Sequence, residues 1–359
     1  MIRHSSSHIQ LEDFDYIGSL VQRNFVGGGG LCDSFARALA KRYERTYCLL
    51  TGSGTAALEI ALHELRSRRP AANEVIVGAY VCPAVVSAII REGLRPVFAD
   101  VQENSLNIDA DAVARMIDES TVAVIMTHVG GIADPVSDIL ALDVPVISDC
   151  AQALGSTWKG GALTAYGMAA TTSFGSTKML AAGSGGALFT EEADWFESAK
   201  RYSTEELSVE DYIEAGFVPT YGQHISDLTA GLGLAQLQRF ESTLARRREI
   251  ASRYTGLLSC LGGIELPVIS KECAPNYFRY YFFSSSASEW LKLFKVKGVD
   301  ARSSISHDMT KYFSGGFSAP NLVRNTLRLV SLPIHAALSE EDIEHVLVVI
   351  ERGIASGLR

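Results

Sequence analysis

The 359-residue chain has only six cysteines, at positions 32, 48, 82, 150, 260 and 273, and no Cys-x-x-Cys pair. That scarcity argues against a zinc ribbon or a disulfide framework and for reduced thiols in a cytoplasmic protein. Long apolar runs are missing too. The longest, 79–90, is about half of the ~20 residues a membrane span needs, and Pro83 interrupts it. The first ten residues, MIRHSSSHIQ, carry no apolar core of a secretory signal. Positive charge is in deficit: 32 Lys and Arg against 41 Asp and Glu leave a net charge of −9 and a pI near 5.4. A nucleic-acid polymer needs a basic footprint, and Arg246, Arg247 and Arg248 make only a short run. No His, Cys or Asp cluster has metal-ligand spacing, and no Ser, His and Asp arrangement stands out as a triad. With 31 Gly and 10 Pro scattered without a period, the chain is neither collagen-like nor of low complexity.

What is present is alternation. Short β-branched runs at 47–50, 74–77, 95–98, 122–126, 144–147, 170–174 and 186–189 are separated by helix-period stretches at 55–65, 84–91 and 110–117. Strand–helix–strand repetition predicts a largely parallel sheet covered on both faces. Residues 191–225 are mixed and polar, with a loop expected around 216–223. A single long helix is expected over 226–258, capped by Ser226 and broken by Gly262 and Gly263. Beyond it a smaller α/β unit is expected: strands near 280–284 and 326–330, a helix near 288–297 and a last helix from Ser339. The predicted division is a large domain over 1–240 and a small one over 241–359, joined by the long helix.

Three motifs could carry chemistry. The first, TGSGTAAL at 51–58, follows a strand and opens a helix, where backbone N–H groups and the helix dipole can hold a phosphate. It ends in neither Gly-Lys-Ser/Thr nor GxGxxG, and a tight turn capped by Ser53 or Thr55 explains it equally well. The second, VISDCAQA at 146–153, puts Asp149 at the end of an apolar strand, at the sheet edge where α/β proteins bind ligands; a cap of the next segment is the plainer reading. The third, TTSFGSTKML at 171–180, places Lys178 in a stretch with no other charge between Lys159 and Glu191. An isolated lysine is usually at the surface, but here it could be desolvated and made nucleophilic. Together, and in this order, an anion cradle, a carboxylate for a pyridinium nitrogen and an amine meet the needs of pyridoxal phosphate.

These segments, with EVIV at 74–77, PVFAD at 96–100, THVGG at 127–131, GSGG at 183–186, GLAQL at 233–237 and LVSLPIH at 329–335, resemble the DegT/DnrJ/EryC1/StrS sugar aminotransferases along nearly the whole chain. The resemblance implies a fold-type I pyridoxal-phosphate transferase: a large domain with a mostly parallel seven-stranded sheet and a smaller C-terminal α/β domain. It implies that Lys178 carries the cofactor and moves the proton, Asp149 pairs with the ring nitrogen, Gln152 sits by the ring oxygen, and Gly54, Thr55 and Ser173 hold the phosphate. A lysine at 178 distinguishes aminotransferases from the family's sugar dehydratases, which have a histidine there. Family habit further implies glutamate as amino donor, a nucleotide-linked keto sugar as acceptor, and a homodimer. Two departures stand out. Cys82 falls where an aromatic residue usually stacks on the ring, leaving Cys82 itself or Tyr80 for that role. The family's Asn-x-Arg, which reaches a neighbouring subunit's cofactor, is here Gly222-Gln-His224, so His224, Gln223 or Tyr221 would substitute. That second change leaves room for a non-nucleotide cyclic ketone such as an inosose. A cofactor-binding regulator without turnover is the remaining class, disfavoured because Lys178 and Asp149 are both present. His128 is expected to be structural, His307 and His335 to be surface or turn residues, and Tyr166 to be peripheral.

Overall fold

The computed structural model describes residues 1–22, 30–204, 221–313 and 317–359. Helices α1 (Leu11–Val21) and α2 (Gly30–Arg42) lead into β1 (Tyr47–Thr51), α3 (Gly54–Arg68) and β2 (Glu74–Gly78). There follow α4 (Pro83–Arg91), β3 (Arg95–Ala99), α5 (Ala110–Ala114), β4 (Thr121–Met126), α6 (Val136–Leu140) and β5 (Val146–Asp149). The first half closes with β6 (Ala169–Ser173), β7 (Gly186–Thr190) and α7 (Ala193–Ser203). All seven strands expected from the sequence form one sheet in the order β1-β7-β6-β5-β4-β2-β3. Pairings among β6, β5, β4, β2 and β3 are parallel, whereas β7 runs antiparallel between β1 and β6. Every residue of β4, β5 and β7 is buried, as expected for strands covered by helices on both faces.

The expected helix over 226–258 is two helices, α8 (Asp227–Gln238) and α9 (Phe240–Leu258). Ser226 caps the first as expected, its Oγ accepting from Thr229 N. The break falls at Arg239 (φ −109°, ψ 15°), and neither glycine nor proline causes it. The Arg239 guanidinium grips Asp13 through both carboxylate oxygens, at 3.0 and 2.6 Å, and Gln236 Nε2 donates to the same Oδ2 at 2.7 Å. The N-terminal segment, which gave no helical expectation, is thus the clamp at which the two helices part.

The C-terminal part contains β8 (Ile264–Glu265), β9 (Tyr280–Ser284), α10 (Ala287–Val296), α11 (Pro320–Arg328), β10 (Leu329–Leu332) and α12 (Glu340–Ala355). Its antiparallel sheet runs β8-β9-β10. Alternation along β9 divides its aromatics: Tyr280 and Phe282 join Trp290, Tyr254 and Ile350 in one cluster, while Tyr281 and Phe283 pack with the main-sheet core. The strand expected near 326–330 begins only at Leu329, because 320–328 is helical. Ala319 cannot cap that helix; Asp100, at the end of β3, accepts from Asn321 N and Leu322 N at 3.0 Å each and does so instead. Among the described residues no helix is long and apolar enough to cross a membrane.

Candidate active site

At the carboxyl ends of β4, β5 and β6 lies a cavity of about 200 Å³. Its walls include Gly54, Thr55, Cys82, Asp149, Gln152, Ser173 and Lys178, seven of the residues singled out in the sequence and drawn from four segments. The first turn of α3 opens onto it. Ser53 caps that turn through Ala56 N at 3.0 Å, and Ser53, Gly54 and Thr55 all line the cavity. Gly54 is required by contact: a Cβ there would lie 2.8 Å from Ser173 Cβ and 3.1 Å from Thr172 O. The approach brings the helix N-terminus and the Ser173 hydroxyl together, a ready anion site.

Asp149 is held by strand register. It sits opposite Thr171 on β6, and its Oδ1 accepts from Thr171 Oγ1 at 3.2 Å and from Ala151 N at 3.0 Å. Oδ2 has no hydrogen-bond donor among the described residues, and Asp149 lines the cavity. Burial raises the pKa of this carboxyl, opposed by Ala151 N–H, the Lys178 charge and Thr171. Lys178 follows a turn in which its N–H donates to Gly175 O at 2.9 Å, and its Nζ lies 5.4 Å from the Phe278 ring centroid. Burial lowers the lysine pKa and Asp149 opposes it, so the amine loses its proton more readily than a solvated lysine. Gln152 is oriented from behind: Gly130 N donates to its Oε1 at 2.9 Å, leaving the amide NH₂ as its donor toward the cavity it lines.

His128 does the structural work behind this wall. It is fully buried, with φ +45°. Its Nδ1 accepts from Asp134 N at 3.0 Å, which puts the proton on Nε2, 2.9 Å from Ser148 Oγ. Burial pushes its pKa down to about 3 and that of Asp134 up to about 7. The loop so fixed carries Thr127 and Val129 on the cavity wall and Gly131 against Asn276, where a Cβ would lie 1.8 Å from Oδ1.

Three expected site residues stand elsewhere. Tyr80 is buried and turned away from the cavity, its hydroxyl accepting from Ile305 N at 2.9 Å and Ser306 N at 3.0 Å. It cannot stack over a ring in the cavity, and Cys82 alone of the two faces it. Gly222 has φ +58° and donates to Thr204 O at 3.0 Å. His224 lines a separate groove beside β1, with Cys32, Tyr47 and Lys200. The segment nonetheless packs on the glycine-rich loop, since a Cβ at Gly52 would meet Gln223 Oε1 at 2.7 Å. The part of the expected 216–223 loop before residue 221 lies outside the described residues. Tyr166 donates to Trp158 O at 2.6 Å, away from the cavity. Of the residues not anticipated, Thr171 was findable, because it shares a strand face with Ser173. Phe278 was not: it reaches Lys178 only through tertiary packing.

A seven-stranded sheet of this order, with a lysine, a buried aspartate and a helix N-terminus converging at its carboxyl edge, defines a fold-type I transferase. The profile of the DegT/DnrJ/EryC1/StrS aminotransferase family matches residues 7–351, and the chain belongs to that family. It is similar to the spore coat polysaccharide biosynthesis protein SpsC of Bacillus subtilis, 27% identical over 96% of this chain and 95% of the relative. A dTDP-4-dehydro-2,3,6-trideoxy-D-glucose 4-aminotransferase of Saccharopolyspora spinosa is also 27% identical, over 96% and 94%. Among solved structures, the sugar aminotransferase CalS13 of Micromonospora echinospora superposes with a TM-score of 0.90 over 98% of this chain and 100% of that one, at 23% identity. The chain is an aminotransferase of this sugar-modifying family.

Proposed function

We propose that this aminotransferase uses pyridoxal phosphate to move an amino group from glutamate to a nucleotide-linked keto sugar in amino-sugar, polysaccharide or secondary-metabolite biosynthesis, working as a homodimer. The observation that carries the reading is the convergence of Lys178, Asp149, Gln152 and the Gly54–Ser173 cradle on one cavity. The residues fit the group. Asp149 has one oxygen already hydrogen-bonded and the other free for a ring N–H, and the anion cradle lies where only glycine permits the approach of strand and helix. When bound, the cofactor supplies an electron sink for a carbanion at the substrate carbon. The protein's own work is positioning and proton transfer. Asp149 would hold the ring nitrogen protonated, Gln152 would donate to the ring oxygen, and Gly54, Thr55 and Ser173 would hold the phosphate. Lys178 would anchor the cofactor and, as the free amine, would move the proton at the substrate carbon. Residues 1–240 supply the cradle, and 241–359 bring Phe278 against Lys178.

A non-nucleotide cyclic ketone is the second acceptor class, favoured by Gly222, which has no side chain to reach a neighbouring site. Purified enzyme should show the visible band of lysine-bound cofactor, and glutamate should bleach it. Aminated product from nucleotide-linked keto sugars, but not from free cyclic ketones, is the expected outcome. Lys178→Ala should lose both band and turnover; an active alanine variant would overturn the assignment.

A further inference from the structure

Phe278 is the residue of the C-terminal part that meets Lys178. The Lys178 Nζ lies 5.4 Å from its ring centroid, within the ~6 Å over which an aromatic face attracts a cation. Among the described residues Nζ has neither a hydrogen-bond acceptor nor a salt-bridge partner, so the ring is the group set against it.

The ring is firmly mounted. Phe278 is buried, and Asn276, two positions earlier, is fully buried with both polar groups of its side chain in use. Asn276 Oδ1 accepts from Phe278 N at 2.7 Å, while Nδ2 donates to Gln152 O at 3.0 Å and Leu154 O at 2.9 Å. Phe278 O accepts from Arg247 Nη1 at 3.4 Å and from Arg279 Nη1 at 3.1 Å. The Arg279 backbone N–H donates to Gly130 O at 3.0 Å, and Gly130 N in turn orients Gln152. The Arg279 guanidinium stacks on the same ring, with Cζ 4.1 Å from the centroid. Residues 276–279 are thus tied to the two loops that place Gln152, and the ring has a fixed seat beside Lys178.

The lysine needs this support in one of its two states. As a base it takes the proton from the substrate carbon, whose bonding pair stays behind, and it becomes an ammonium. A buried ammonium without a partner is costly. Burial lowers the Lys178 pKa; Asp149 at the end of β5 and Cys82 before α4 oppose this, and Arg279 beside β9 adds to it. In the reading above Asp149 is committed to the ring nitrogen of the cofactor, which offsets its charge. An aromatic face favours the ammonium over the neutral amine and has no lone pair to take its proton.

We infer that Phe278 is a positioning residue for proton transfer, its ring supporting the Lys178 ammonium while that amine is free. The inference rests on the reading under Proposed function and adds to it what sustains the base.

Bleaching of the visible band by glutamate is measured first in wild-type enzyme. If it fails there, the proposed function falls, and Phe278 is judged on the cofactor-free full chain alone. In that chain the pKa of Lys178 is read by competitive labelling with a trace acylating reagent across pH, followed by mass spectrometry of its peptide. Phe278→Leu, apolar but without a π face, should lower that pKa by about 0.5–1, the size of a cation–π contact. Phe278→Tyr, which keeps the face, should restore most of the difference. Asp149, Cys82 and Arg279 are present in every variant, so the difference reports the ring. Replacing Phe278 by 3,4,5-trifluorophenylalanine depletes the face at nearly constant shape, and it should give a fall in the same direction even where the leucine variant does not fold. In loaded Phe278→Leu enzyme, kcat for the glutamate half-reaction should fall about threefold to tenfold with KM changed less than about twofold. The acid limb of its pH profile should move to lower pH with the lysine. An unchanged Lys178 pKa in the folded variants would overturn the inference and leave Phe278 a core residue. Equal falls for leucine and tyrosine would overturn it too, because the face would not be the cause. A lowered pKa with unchanged kcat would remove Phe278 from the proton-transfer step.

Discussion

Gly54 shows how much a single hydrogen atom in place of a side chain decides here. Its Cα approaches Ser173 and the Thr172 carbonyl so closely that a methyl group would fall 2.8 and 3.1 Å away. Neither neighbour is a flexible tip; one is strand backbone and the other a Cβ fixed to it. Gly54→Ala should therefore move the α3 N-terminus off the strand, costing about 1–3 kcal/mol as overpacking does. The anion cradle would open with it. Cofactor affinity measured by titration should fall about tenfold or more, and thermal unfolding should begin earlier; unchanged affinity would show that the cradle lies elsewhere. Other residues of the site are legible in the sequence itself. Lys178, Asp149 and Ser173 each follow or end an apolar strand, so local sequence placed them at the sheet edge. Between the alternatives Cys82 and Tyr80 local sequence could not choose, because nothing local shows that the Tyr80 hydroxyl receives two N–H groups from 305 and 306.

Helix α11 makes the corresponding point for an element. Pro320 provides a suitable first residue, but the position before it is Ala319, which has no side-chain acceptor. The acceptor comes from Asp100, more than two hundred residues earlier in the chain, whose two oxygens take Asn321 N and Leu322 N. Read locally, the β-branched Thr326 and Val330 suggest a strand, and Pro320 without a capping side chain before it is too weak a start signal to oppose it. Asp100→Ala should cost about 0.5–2 kcal/mol, as loss of an N-cap does. Amide exchange in 320–328 should rise well before global unfolding, with Asp100→Asn intermediate; protection equal to wild type would mean that packing of Leu322 alone holds the helix. The α8–α9 break is a second case. Its cause, the Arg239–Asp13 pair, spans the fold, so the polar and apolar periodicity over 226–258 gave no hint of it.

The assembled molecule joins its two parts through several such distant contacts. Asp100 caps α11, Tyr80 holds 305 and 306, and Tyr80 and Val81 pair with Asp308 and His307 in a short antiparallel ladder. The N-terminal residues reach the far sheet, where His4 Nε2 lies 2.9 Å from Ser331 Oγ. This architecture also sets a pH dependence. Burial pushes the imidazoles of His4 and His128 from 6.5 to about 3, His4 being lowered further by Arg279 and Arg302. Between those values the unfolded chain binds two protons that the folded chain excludes, so their contribution to stability is lost as pH falls through that window. Asp134 runs the other way: burial raises it from 3.8 to about 7, and its contribution is lost as pH rises across that range. Two imidazoles against one carboxyl leave a net loss on acidification. The Tm should drop between pH 7 and pH 5, and His4→Gln, which can still donate to Ser331, should make the slope shallower. Parallel curves for the two proteins would remove His4 from this account.

Periodicity and strand-end chemistry were enough to read the seven strands, the carboxyl-edge site and the residues fit for a phosphorylated cofactor. Those features depend on neighbours within a few positions, which is the range over which alternation, capping and glycine turns act. The composition likewise pointed away from polymers of nucleic acid before any fold was known. Tertiary structure alone decided what depends on residues far apart in the chain: the antiparallel place of β7, the break at Arg239, the cap on α11 and the withdrawal of Tyr80 from the cavity. It also brought the Phe278 ring to within 5.4 Å of Lys178 Nζ, a contact between residues a hundred positions apart. Long-range packing of that kind leaves no local pattern to read.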